Sequence, residues 1–88
     1  MGEAEPEPGV FVNRFSCASE DSARALANAI ILVGLHPQLR GPRLPGEPWL
    51  VQAAAELVPT PENLLDLREA MSSAAARTGA TYEGGDLL

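Results

Sequence analysis

The stretch Trp49-Leu50-Val51-Gln52-Ala53-Ala54-Ala55-Glu56-Leu57-Val58 governs how the rest of the chain is read. A helix through its alanines is possible, but Pro48 and Pro59 bound only ten residues. The alternation favours a strand instead: Trp49, Val51, Ala53, Ala55 and Leu57 fall on one side, Gln52 and Glu56 on the other. A period of two is the mark of a strand with one buried face.

Downstream, "PTPEN" opens a helix. Thr60 is placed to cap it, Pro61 takes the first helical position where a missing N–H costs nothing, and Glu62 suits the positive end of the helix dipole. Leu64, Leu67, Met71, Ala74 and Ala75 recur at helical spacing, and Gly79 ends the helix. "ATYEG" then has room for one short strand, so "TYEGGD", residues 81–86, reads as an exposed edge strand with the residues just after it. Upstream, Arg40 to Pro48 holds three prolines and two glycines and reads as a loop. Leu35 to Leu39 fits a short strand that Pro37 confines to a sheet edge.

Before it, Ser19 caps a first helix whose inward stripe is Ala23, Leu26, Ala27, Ile30 and Val33, closed by Gly34. "VFVNRFSCA", residues 10–18, reads as a strand, with Phe11, Phe15 and Cys17 on one face and Asn13 set awkwardly among them. Arg14 on the other face is positioned to pair with Glu56 across strands. The order β, α, β, β, α, β is the ferredoxin-like split βαβ pattern, an α+β sandwich with a four-stranded antiparallel sheet and two helices on one face. Right-handed crossovers put the first and third strands in the centre. Residues 1–9, alternating Glu and Pro, read as a disordered acidic arm, leaving 10–88 as the single domain.

Composition narrows the function. The six basic residues are all arginine, which with abundant alanine points to a GC-rich bacterial coding background. A net charge of −6 disfavours nucleic acid and anionic membranes as direct ligands. The inward-facing aromatics also argue against the stacking platform of RNA-binding sheets. The N-terminus lacks the basic start and apolar run of a signal peptide, and no apolar stretch reaches bilayer length, so a cytoplasmic protein is expected. One cysteine, Cys17, agrees with a reducing compartment. One histidine, His36, and one cysteine make no metal constellation, and "GGD" lacks the following helix of a phosphate loop. Neither a cofactor nor a catalytic set is expected.

Two segments carry a resemblance. "VPTPENL" before the second helix and "GATYEGGDL" after it, at this separation, resemble the regulator of ribonuclease activity B family, the ribonuclease E inhibitor proteins. The matching residues are Thr60, Pro61 and Glu62, then Gly79, Tyr82, Glu83, Gly84 and Asp86. Glu83 replaces the family's usual Asp, and Gly85 stands where the family often has Trp, a lost aromatic anchor. The resemblance implies a non-enzymatic acidic protein that binds an endoribonuclease and modulates RNA decay. The expected partner-binding residues are Tyr82, Glu83, Gly84 and Asp86 on the last strand and Glu62, Asp66 and Glu69 on the second helix. Tyr82 is expected either to anchor a partner or to pack beneath the second helix. Gly84 and Gly85 are read as letting a partner's backbone approach. A small-ligand regulatory domain of the ACT type, with its site at residues 15–21, and a dimeric α+β barrel enzyme share the element order. The sequence leaves the oligomeric state open.

Overall fold

The computed structural model describes residues 7–88. The expected arm lies outside the described residues up to position 6; Glu7 and Pro8 are exposed, and Gly9 already belongs to a strand, one residue earlier than expected. The elements are β1 (Gly9–Cys17), α1 (Glu20–Leu32), β2 (His36–Arg40), β3 (Trp49–Leu57), α2 (Pro61–Thr78) and β4 (Thr81–Leu87). The sheet order is β2-β3-β1-β4 with every neighbouring pair antiparallel, and both helices pack on one face. This is the ferredoxin-like arrangement. Pro37 sits on edge strand β2, where its missing N–H faces no second neighbour.

β3 keeps the register its alternation demands. Val51, Ala53 and Ala55 are buried under the helices, while Leu50, Gln52, Ala54 and Glu56 lie on the open face. β1 buries Asn13, Phe15 and Cys17 on the same side. The remaining core comes from Ala23, Leu26 and Ile30 of α1 and Met71, Ala74 and Ala75 of α2. Alanine makes up half of these helix residues and most of the buried β3 residues, so helices and sheet approach closely and each larger side chain matters more.

The caps fall where the sequence puts them. Ser19 Oγ accepts from the Ser22 N–H at 3.1 Å, and Thr60 Oγ1 accepts from the Asn63 N–H at 3.1 Å. Gly79 closes α2, its N–H bonded to the Ala75 carbonyl. The Ser22 hydroxyl donates to the Thr78 carbonyl at 2.7 Å, tying the start of α1 to the end of α2. Two expectations are corrected. Val33 is not part of the inward stripe: α1 stops at Leu32, Val33 becomes its cap residue and is half exposed, and Leu35 packs against the core instead. Arg14 pairs with Asp86 at 2.6 Å rather than with Glu56, because its partner in β3 is Gln52 and β4 brings a carboxylate within reach. Both side chains are substantially exposed, so the pair contributes about 0–1 kcal/mol.

Thr60→Ala removes the side-chain acceptor for one orphan N–H of α2. It is expected to lower stability by about 1 kcal/mol. Chemical denaturation checks this, and an unchanged midpoint would take the capping role away from Thr60.

Candidate functional site

β4 is the strand on which the candidate residues concentrate, and its pairing with β1 is irregular. Phe15 faces Tyr82 and Asn13 faces Gly85, so Glu83 and Gly84 together stand opposite the single residue Arg14. This is a β-bulge. Gly84 has φ +85, a left-handed conformation that residues with a side chain adopt at a cost. The extra residue resets the alternation, so Tyr82 and Gly85 both face the helices while Glu83 and Asp86 face outward.

Gly85 is held to glycine by space. A Cβ there would collide with the Val12 carbonyl oxygen and the Phe11 ring. The region that a Trp at this position would need is already filled by Phe11 from the neighbouring strand. A side chain at 85 is therefore excluded by the chain's own atoms, while the half-buried Gly85 backbone lines the cleft between β4 and α2.

Tyr82 faces inward. Its ring lies 5.1 Å from that of Phe15, tilted by 38°, and its hydroxyl donates to Asn13 Oδ1 at 2.7 Å. The Asn13 amide in turn donates to the Ala53 carbonyl at 3.1 Å. Of the two expectations for Tyr82, packing within the fold is the one its geometry matches; a ring and hydroxyl already engaged are not free to anchor a partner. Burial pushes the Tyr82 phenol above its ordinary value, and the nearby Arg68 guanidinium opposes that rise. Cys17 is likewise pushed up by burial, with a hydrogen bond to Ser22 acting the other way, and it is enclosed beneath the helices.

What β4 does expose is a cleft against α2. It has a volume of about 370 Å³ and is lined by Phe11, Leu64, Arg68, Glu83, Gly84 and Gly85. Glu62, Asp66 and Glu69 are all exposed on α2, and their i, i+4, i+7 spacing sets them on its outer side. Asp86 lies on the open sheet face, neutralised by Arg14. The structure thus brings Glu83 and Gly84 to the rim of one cleft, with the α2 carboxylates on the same helix. Tyr82 is withdrawn from it and Asp86 is directed away. Sequence reasoning missed Phe11, Leu64 and Arg68 as cleft residues. Leu64 and Arg68 are four apart on the flank of the inward stripe, a spacing from which a helical projection finds them.

The first strand–helix turn holds buried Phe15 and Cys17 and the Ser19 cap. His36 is exposed on the open face beside Val12, Gln38, Gln52 and Ala54. Among the described residues no three His, Cys, Asp or Glu side chains are grouped to hold a metal ion, and no helix is long and apolar enough to cross a membrane. The architecture is that of a ferredoxin-like α+β sandwich with an acidic helix beside a bulged edge strand. No protein-family model matches the chain, and no curated protein matches it.

Two outcomes are expected from this geometry. Tyr82 is the only tyrosine, so the near-ultraviolet absorbance of tyrosinate reports it alone. Its midpoint should lie above the ordinary value near 10 in the folded protein and return to it in denaturant. Because the folded value is raised, the associated stability is fully present below the ordinary value and is lost as pH climbs through the folded one. Secondly, Gly85→Ala should cost more than Gly84→Ala, about 3 against about 1 kcal/mol. Denaturation midpoints in the reverse order would show that backbone conformation at 84, and not space at 85, controls the strand.

Proposed function

We propose that the chain is a non-enzymatic, protein-binding regulator that acts in the cytoplasm by binding an endoribonuclease, as the ribonuclease E inhibitors it resembles do. The observation that carries this reading is the cleft between α2 and β4. It brings Leu64, at the end of the first segment on which the resemblance rests, beside Glu83, Gly84 and Gly85 of the second. Glu83 stands at its rim, and Glu62, Asp66 and Glu69 are exposed on the outer side of the same helix, on a chain of net charge −6. Such a surface attracts a basic protein segment and repels RNA itself. The open face of the sheet carries no Phe, Tyr or Trp on its central strands, so it has no platform for stacking bases. With Tyr82 withdrawn and no Trp at position 85, recognition falls to Glu83, the Gly84 rim, Arg68 and the α2 carboxylates.

The test is titration of the purified chain into a ribonuclease E-type endoribonuclease cleaving a fluorogenic RNA, with binding measured calorimetrically in parallel. Binding that slows cleavage is expected. Glu62→Lys, Asp66→Lys and Glu69→Lys combined should weaken it at least ~10-fold while leaving the circular dichroism spectrum intact. Cleavage of RNA by the chain alone, or the absence of binding, would overturn the reading.

A further inference from the structure

Among the described residues, the helices cover one face of the sheet and nothing covers the other. By register, that open face presents Val10, Val12 and Arg14 of β1 beside Leu50, Ala54 and Glu56 of β3. Arg40 of β2 continues it on one side, and Glu83 and Asp86 of β4 on the other. We infer that this face is an interface with a second copy of the chain, packed sheet to sheet.

Area, charge and composition each bear on this occupant. Strands of nine, five, nine and seven residues, at ~3.3 Å per residue and ~4.8 Å between strands, give a face of roughly 480 Å² per copy. Two such faces, covered from edge to edge, bury roughly 960 Å² before side-chain relief is added, and that relief carries the total past the ~1,000 Å² lower bound of a specific interface.

The charge pattern also fits a copy. The chain as a whole carries −6 and repels itself. The open face sets Arg14 and Arg40 against Glu56, Glu83 and Asp86, with Arg14 and Asp86 already paired, so it is close to neutral. Like molecules meet there at the least electrostatic cost.

The apolar part is central. Val10, Val12 and Ala54 lie on the two inner strands, and Leu50, 42% exposed, sits over a shallow cleft lined also by Arg14, Gln52 and Glu83. An apolar middle with polar and charged residues around it is the anatomy of a non-obligate interface. An association through this face leaves Glu62, Asp66 and Glu69 on the outer side of α2 free, so a dimer presents these carboxylates twice, while Glu83, which lines both the open face and the α2 cleft, is shared between the two surfaces. Linked binding sites of this kind raise avidity without a new contact.

Sedimentation equilibrium of the full chain over a concentration series tests the inference. A monomer–dimer equilibrium is expected, with Leu50→Glu raising the dissociation constant at least ~10-fold; Leu50 lies outside the core, so folding is preserved. A second readout uses Ala54→Cys with a short bis-maleimide, Cys17 being buried. Covalent dimers should form, and the same reagent on Ser73→Cys, on the outer side of α2, should give none. A monomer at every concentration would overturn the inference. So would a dimer that survives Leu50→Glu but is lost on Leu32→Glu, which would move the interface to the exposed apolar end of α1. A monomer whose open-face amide resonances shift on adding an oligonucleotide or the nuclease would give the face to that ligand instead.

Discussion

The hydrogen bond from Tyr82 to Asn13 holds the arrangement of the sheet. Asn13 is fully buried on the central strand, in a layer otherwise made of apolar side chains. A buried amide left without partners costs about 1–3 kcal/mol for each unmatched group. Asn13 avoids this by donating to Ala53 on one side and accepting from Tyr82 on the other. One side chain thereby fastens β3, β1 and β4 together, and no buried side-chain nitrogen or oxygen among the described residues is left unpaired. A slip of either neighbouring strand would strand this amide in the core, which penalises alternative registers more than apolar packing alone does.

The bulge is a consequence of that constraint. Tyr82 must face inward opposite Phe15 to reach Asn13, while Leu87 lies opposite Phe11. Leu87 is one position further from Tyr82 than Phe15 is from Phe11, so β4 must accommodate one more residue than β1. Gly84 takes up the difference with its left-handed backbone, and Gly85 admits the ring of Phe11. The two glycines therefore serve the strand's own geometry. The bulge turns Glu83 outward, and Gly84 and Gly85 line the cleft against α2.

The core is built on small residues, and this shapes what the surface can do. Alanines at 23, 53, 74 and 75 let the helices sit close to the sheet, and a domain of this length buries only about 60–65% of its unfolded surface. Among the described residues the sheet's second face remains open, with both signs of charge around a modest apolar centre. The acidic side of α2 points the opposite way. The α2 carboxylates and the open sheet face thus point away from each other, with Glu83 at the boundary they share.

The elements and their order were legible along the chain. Prolines 48 and 59 made a strand of the alanine-rich segment, Thr60-Pro61-Glu62 started α2, Pro37 placed β2 at an edge, and Gly34 and Gly79 ended the helices. Each of these acts through backbone chemistry within a few residues, so each can be read locally. Only packing settled the pairing of Arg14 with Asp86, the inward turn of Tyr82, the meaning of Asn13, and the exposure of Val33. The first three depend on which residue of a distant strand lies opposite, and the last on where α1 stops against the core. That register was set by a one-residue bulge, and a shift of one residue exchanges the two faces of a strand. The acidic stripe of Glu62, Asp66 and Glu69 was readable because helical spacing is local. The cleft between α2 and β4 was not, because Phe11 and Glu83 meet Arg68 only once β1, β4 and α2 are packed together.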